Sequence, residues 1–268
     1  MIPKVIHYCW FGRNPKSEII QKCIASWKEF CPDYEIIEWN EDNFDVNSIP
    51  YTAAAYADKK WAFVSDYARL KIVYENGGIY LDTDVLLHNS LDELLQYECW
   101  LASDDVRYVN TGLGFGAIKG QTLIGALLQS YHKYGYDPTV TCVIKDTQVI
   151  ERQLPLWKKS DRSQVVDGVY LIGLKDYGKY AAHLYTFTWA DPEEYAKRTK
   201  DIESRAKNKL GKKLLWKLKC LLRSPRCIQF LDRHKGSFVE HVYTFCAYDL
   251  LDNGPIYFIK RLIRKLFK

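Results

Sequence analysis

The sequence predicts an α/β protein, and three observations carry that expectation. A strand–helix–strand unit opens the chain, a long apolar helix stops at Gly77-Gly78 before another β-prone run, and 47% of the 268 residues are hydrophobic. That content is enough for one large core, or a core with a small appendage. The opening run Val5-Ile6-His7-Tyr8-Cys9-Trp10, closed by Gly12, reads as a first strand ending in a loop. Residues 17–30 place Ile19, Ile20, Cys23, Ile24, Trp27 and Phe30 in a helical stripe. Cys31-Pro32-Asp33 breaks that stripe, and residues 34–39 form a second strand. Such a unit argues for a parallel sheet with crossover helices.

The remaining elements follow in order. Residues 53–74 read as one helix, with Trp61, Val64, Ala68, Ile72 and Val73 near one face and Asn76-Gly77-Gly78 as its stop. Ile79-Tyr80-Leu81 is a strand leading straight into Asp82. Residues 91–97 read as helical, the stretch around Trp100-Leu101-Ala102 as extended, and residues 112–118 as another strand. A helix is expected over 122–134, after which the pattern weakens until the strand Val169-Tyr170-Leu171-Ile172. No internal repeat appears. Beyond Trp189 the sequence turns charged and helical, so the expected division is 1–189 and 190–268.

The net charge of +5 conceals an asymmetry. Residues 190–268 hold 19 Lys plus Arg against 9 Asp plus Glu, a surplus of 10, so residues 1–189 carry a deficit of 5. A basic tail on an acidic body points to an anionic partner. In the tail, Leu210, Leu214, Leu218, Leu221 and Leu222 share one stripe. Residues 258–268 divide more cleanly, with Phe258, Ile259, Leu262, Ile263, Leu266 and Phe267 opposite Lys260, Arg261, Arg264, Lys265 and Lys268. Helices packed on the domain would account for such stripes; the divided terminal segment also fits attachment to an anionic membrane surface. Nucleic acid is not an expected partner, because no recognised nucleic-acid-binding fold accompanies the charge. The eight cysteines show no paired spacing and read as reduced thiols. The start lacks a signal-peptide pattern and no window reaches the ~20 apolar residues of a span, so a cytoplasmic location is expected.

Asp82 and Asp84 stand at i and i+2 directly after an apolar strand, where two carboxylates can project toward one point at a sheet's carboxyl edge. Mg²⁺ or Mn²⁺ takes such oxygens and shares its remaining shell with phosphates. An isolated Asp-x-Asp also serves local hydrogen bonding in turns. Here Asp66 lies sixteen residues earlier with Arg69 one helical turn on, in an apolar helix that runs into the glycine turn below the carboxylates. A surface ion pair is the plainer reading of that spacing; a grip on sugar hydroxyls is the functional one.

Residues Ala62-Phe63-Val64-Ser65-Asp66-Tyr67-Ala68-Arg69, running through Gly77-Gly78-Ile79-Tyr80-Leu81-Asp82-Thr83-Asp84-Val85, resemble the bacterial and fungal sugar transferases with a DXD-containing sugar-binding region. That family, of capsular polysaccharide synthesis type, is distantly similar to clostridial glucosylating toxins. The opening Ile2 to Trp10 segment, Asn110-Thr111-Gly112-Leu113-Gly114-Phe115-Gly116 and the segment from His183 to Trp189 are similar as well. The resemblance implies a GT-A-type open nucleotide-binding sheet flanked by helices, and retaining transfer from a nucleotide sugar, usually a UDP-sugar, to a glycan or lipid-linked oligosaccharide. It implies that Trp10 stacks on the uracil, Asp66 and Arg69 grip the donor sugar, and Tyr80 lines the pocket. Asp82 would contact ribose and metal, Asp84 would ligate Mn²⁺ or Mg²⁺, and His183 would be a third ligand. Thr188 and Trp189 would close a lip over the diphosphate. Family members often carry His-His and Ser-Trp where this chain has His183-Leu184 and Thr188-Trp189.

Asp104, Asp105 and Asn110 are placed near the acceptor side, with Asp104 or Asp105 offering a nucleophile if transfer proceeds by double displacement. Solvated loop carboxylates are the alternative for that pair. Same-face attack, in which the departing phosphate takes the acceptor's proton, is the preferred route. Two other readings of the chain stay open: a phosphatase or phosphotransferase with a nucleophilic first Asp, and a silent carbohydrate-binding protein at a membrane. The terminal helix and the resemblance together place the protein on the inner face of the plasma membrane.

Overall fold

The computed structural model describes residues 1–103, 108–133, 135–138 and 140–186. Asp104, Asp105, Thr188, Trp189 and the basic tail 190–268 lie outside the described residues. Nine strands occur among the described residues: β1 (Val5–Cys9), β2 (Glu35–Trp39), β3 (Gly78–Tyr80), β4 (Val85–Leu87), β5 (Cys99–Ala102), β6 (Phe115–Ala117), β7 (Gln164–Val166), β8 (Val169–Ile172) and β9 (Ala181–His183). The helices are α1 (Glu18–Phe30), α2 (Pro50–Ala57), α3 (Trp61–Asn76), α4 (Thr122–Lys133), α5 (Cys142–Gln153) and the single turn α6 (Leu174–Tyr177). None of the described helices is long and apolar enough to cross a membrane.

Seven strands form one open sheet in the order β2-β1-β3-β6-β5-β8-β7, and β4 pairs with β9 in a second, two-stranded sheet. The large sheet is mixed rather than parallel. β1 runs parallel to β2 and β3, and β5 parallel to β8, but β6 lies antiparallel between β3 and β5 and β7 antiparallel to β8. The opening unit fixed only its own pairing; the chain returns after β5 without a crossover helix and inserts β6 in reverse.

Side chains alternate across the sheet as the pleat requires. Ile6, Ile79, Leu81 and Trp100 enter one buried cluster with Trp27 of α1, while Tyr80, Cys99, Leu101 and Phe115 enter the other with α3, α4 and α5. Ser17 caps α1 by accepting from the Ile20 N–H. One turn before its end, α1 grips β4 directly: Trp27 Nε1 donates to Val85 O at 2.7 Å, and Ser26 Oγ accepts from Leu87 N at 3.0 Å. The strand after Asp84 is therefore fixed from behind.

The single helix expected over 53–74 is two. Pro50 starts α2, and the chain breaks at Asp58-Lys59-Lys60, where Lys59 takes φ 57°. A run of exposed charges interrupts the apolar stripe there, and α3 restarts at Trp61. Gly77, φ 72°, and Gly78, φ 100°, end α3 in a conformation that favours glycine. A Cβ on Gly78 would stand 2.9 Å from both His7 Nε2 and Val5 O, so the glycine lets β3 close against β1. Only Asp92–Leu94 of the helical stretch expected over 91–97 coils, as a 3₁₀ turn. The strand expected over 112–118 shortens to β6. Where the pattern faded after 134, the structure places α5 and β7.

Candidate active site

Asp82 leaves β3 two residues after Tyr80, so both side chains fall on the α3 face of the sheet. Tyr80 is 1% exposed, and its hydroxyl donates to Asp82 Oδ1 at 2.9 Å. The same oxygen accepts from Arg69 Nη1 at 3.3 Å. Arg69 also pairs with Asp66 one turn back on α3, and both lie buried, at 2% and 6% exposure. Asp66 and Arg69 are thus a foundation beneath Asp82, and Tyr80 supports that carboxylate instead of presenting a face to solvent. The guanidinium stands 5.6 Å from the Tyr80 ring centroid, adding a cation–π contact.

Burial favours the neutral form of Asp82, yet Arg69, His183 and the Tyr80 hydroxyl outweigh it and hold the carboxyl below its usual range. The group is ionised at neutral pH. Its side chain keeps 31% exposure, so the carboxylate remains reachable from outside.

Asp84 is held from another direction. β4 pairs with β9 so that Val85 lies opposite His183, which brings the imidazole to the carboxylates. The chain then turns through Tyr185, φ 52°, a left-handed conformation that a non-glycine residue adopts at some cost. That turn aims Thr186 back at the site: its N–H and Oγ1 reach Asp84 Oδ2 at 2.8 and 3.0 Å. Oδ1 of Asp84 is left facing His183 Nε2 at 3.2 Å, with Asp82 Oδ2 3.9 Å from the same nitrogen.

One ligand atom from each of Asp82, Asp84 and His183 lies within 4.8 Å of the others. Two carboxylate oxygens converging in this way suit a hard divalent cation. His183 fits with a condition. Its Nδ1 accepts from Tyr185 N at 3.3 Å, which leaves the neutral ring's proton on Nε2; ligation by Nε2 needs the other tautomer and forgoes that bond.

Gly112 closes the back of the site. Its carbonyl accepts from Asp82 N at 3.2 Å, and its own N–H donates to Asn110 Oδ1 at 2.8 Å. A Cβ on Gly112 would overlap Asp82 Oδ2 and stand 3.0 Å from Asn110 Oδ1. Asn110 is buried behind this glycine. Trp10 follows β1 on the same sheet edge as Asp82, because β1 and β3 are parallel with His7 opposite Tyr80. The Trp10 ring is half-buried, its Nε1 donates to Asn14 O at 2.6 Å, and Lys16 Nζ stands 5.4 Å from its centroid.

The sequence reading missed what α5 brings. Asp146 is 0% exposed, accepting from Thr111 Oγ1 at 2.8 Å and Tyr131 OH at 3.3 Å, and Cys142 Sγ accepts from Arg69 Nη2 at 3.4 Å. Burial lifts Asp146 to about 6, against the pull of Arg69 and the two hydroxyls. Burial likewise pushes the Cys142 thiol up to about 11. Thr186 was missed as well. Cys142 and Asp146 share a helical face with Val149 and Ile150, a spacing visible in the sequence but masked because its members include an acid and a thiol.

Residues 17–101 match the family described as a glycosyltransferase sugar-binding region containing a DXD motif. That stretch includes Asp66, Arg69, Tyr80, Asp82 and Asp84. The chain is 27% identical to inositol phosphoceramide mannosyltransferase 3 of Schizosaccharomyces pombe over 143 residues, 51% of this chain and 39% of that protein. It is 25% identical to mannosyl phosphorylinositol ceramide synthase SUR1 of Saccharomyces cerevisiae over 203 residues, 70% of this chain and 50% of the relative. The chain thus spans half or less of the length of these curated relatives. Among solved structures, the PaToxG glycosyltransferase aligns with TM-score 0.47 at 20% identity, covering 57% of this chain and 70% of that one.

Proposed function

We propose that this protein is a metal-dependent, retaining glycosyltransferase of GT-A type, moving a sugar from a nucleotide sugar, most simply a UDP-sugar, to a glycan or lipid-linked acceptor. One observation carries the reading: Asp82 and Asp84 converge at the exit of β3, within the stretch that matches the DXD glycosyltransferase region. A bound Mn²⁺ or Mg²⁺ would supply positive charge against a departing diphosphate. The chain's own residues set the rest. Arg69 and Tyr80 keep Asp82 ionised and aimed, Thr186 holds the far oxygen of Asp84 so that its partner oxygen faces inward, and Trp10 offers an aromatic ring on the same sheet edge for a base.

Two relatives are named for transfer to inositol phosphoceramide or synthesis of its mannosyl derivative, which supports a lipid-borne acceptor here. The basic amphipathic segment 258–268 supports work at an anionic membrane surface, which the proposal puts on the cytoplasmic side, in capsule or exopolysaccharide assembly. Residues 1–189 would be the catalytic part and 190–268 the attachment.

The test is a donor panel: UDP- and GDP-sugars with Mn²⁺, monitored for nucleoside diphosphate release. Slow, Mn²⁺-dependent hydrolysis of one donor, lost in Asp84→Asn, is the expected result. Release of phosphate from simple esters with every sugar nucleotide left intact would overturn it.

A further inference from the structure

We infer that α5 is a positioning clasp for the Asp82 carboxylate and that Asp146 is its principal residue. The inference rests on the metal-site reading above and extends it to a helix outside the stretch matched to the DXD family.

Two adjacent residues of α5 take hold of the segment that backs Asp82. Asp146 Oδ2 accepts from Thr111 Oγ1 at 2.8 Å, while Thr147 Oγ1 accepts from Val109 N at 3.0 Å and lies 3.4 Å from Val109 O. Residues 109 and 111 are thereby pinned on either side of Asn110, whose amide oxygen holds Gly112 N at 2.8 Å. Gly112 in turn accepts from Asp82 N and leaves room for the carboxylate where any Cβ would overlap Oδ2. Every link from Asp146 to Asp82 is one hydrogen bond or one covalent step.

The helix grips the other support of Asp82 too. One turn before Asp146, Cys142 Sγ accepts from Arg69 Nη2, so one face of α5 touches both the guanidinium and the loop. A buried carboxylate is an expensive way to fill space, and well-packed apolar residues often do better for stability. As an anchor it has a use: both oxygens of Asp146 accept from hydroxyls, Tyr131 OH taking Oδ1 at 3.3 Å, and charge-assisted bonds fix direction more firmly than apolar contact. Asn at this position would turn an amide N–H₂ toward one of those hydroxyls.

The experiment is Mn²⁺ titration of the full chain with UDP present, followed by electron paramagnetic resonance of free Mn²⁺, on wild type, Asp146→Asn, Thr111→Val and Val149→Ala. Val149 is buried on the same helix and makes no side-chain hydrogen bond, so its truncation reports loss of packing alone. Loss of a partner hydrogen-bonded to a ligand costs about 10- to 100-fold in metal affinity, and because Asp146 acts on Asp82 at one remove, through Thr111 and Gly112, the lower end of that range applies. Asp146→Asn and Thr111→Val should weaken Mn²⁺ binding to that degree, while Val149→Ala lowers the melting temperature and leaves affinity unchanged. Wild-type affinity in both polar variants would overturn the clasp. If Asp146→Asn does not fold, Thr111→Val decides, because it keeps the carboxylate and its Tyr131 bond. A wild type that fails to bind Mn²⁺ would overturn the metal reading and the clasp with it, whereas a wild type that binds Mn²⁺ no more tightly than both polar variants would overturn the clasp alone.

Discussion

Replacing Gly112 by Ala adds one methyl group at the tightest point of the site. The new carbon would overlap Asp82 Oδ2 while meeting Asn110 Oδ1 at 3.0 Å and Arg69 Nη1 at 3.2 Å. The backbone takes no positive φ at this residue, so the substitution tests space and nothing else. Arg69 and Asn110 are buried and hydrogen-bonded, which leaves the partly exposed carboxylate as the group that yields. Relieving the overlap moves Oδ2 by on the order of 1 Å, and a displacement of that size at a reacting centre costs about 10²-fold in rate. Overpacking adds a stability loss of about 1–3 kcal/mol. Mn²⁺-dependent donor hydrolysis and Mn²⁺ affinity are the assays, with Gly178→Ala as control, since that residue has φ −61° and nothing within 4 Å of an added Cβ. Wild-type affinity and turnover in Gly112→Ala would refute the argument that this glycine sets the position of Asp82.

Three further outcomes follow from the same network. Arg69→Met leaves the buried Asp66 carboxylate without its cation and should lower unfolding free energy by about 3–5 kcal/mol, measured by urea denaturation; a loss under 1 kcal/mol would show the pair to be dispensable. Thr186→Val removes one donor from Asp84, a charged acceptor, and should cost about 1.5–3 kcal/mol and weaken Mn²⁺ binding, with unchanged Mn²⁺ titration as the contrary result. Asp146 is raised from 3.8 to about 6, so its unfolded form ionises first as pH rises. Native stability is then lost between about pH 4 and 6, by on the order of 3 kcal/mol, relative to Asp146→Asn. Denaturation of both proteins across that window should show the difference shrinking as pH rises, and a difference flat with pH would contradict the raised value.

The legible part of this site was the part written in contiguous residues. Asp82 and Asp84 two apart after an apolar strand, and Asp66 and Arg69 on successive turns of one helix, announce themselves through period and spacing. What the pair Asp66–Arg69 does was less legible: a buried scaffold and an exposed grip have the same spacing, and only burial tells them apart. α5 escaped because its inward face carries Cys142, Asp146 and Thr147, polar groups that are satisfied by partners 15 to 73 residues away. The mixed sheet escaped for a related reason. β6 is three residues long, and its reversed pairing between β3 and β5 is decided by neighbours distant in sequence.

The two aspartates are neighbours in the chain but tenants of different sheets. Asp82 caps the large sheet through β3, whereas Asp84 is bound to the β4–β9 ribbon through Thr186 and to α1 through the strand that follows it. The gap between their oxygens is therefore a calliper setting, with the turn that Val85 N closes on Asp82 O at 3.0 Å as its pivot and the seating of the ribbon as its adjustment. Mg²⁺ and Mn²⁺, with oxygen distances near 2.1 Å, and Ca²⁺, nearer 2.4 Å, ask for different openings. A variant that loosens the ribbon, such as Thr186→Val, should flatten the preference between these ions; a Ca²⁺-to-Mn²⁺ affinity ratio that stays fixed would show that the opening is set elsewhere.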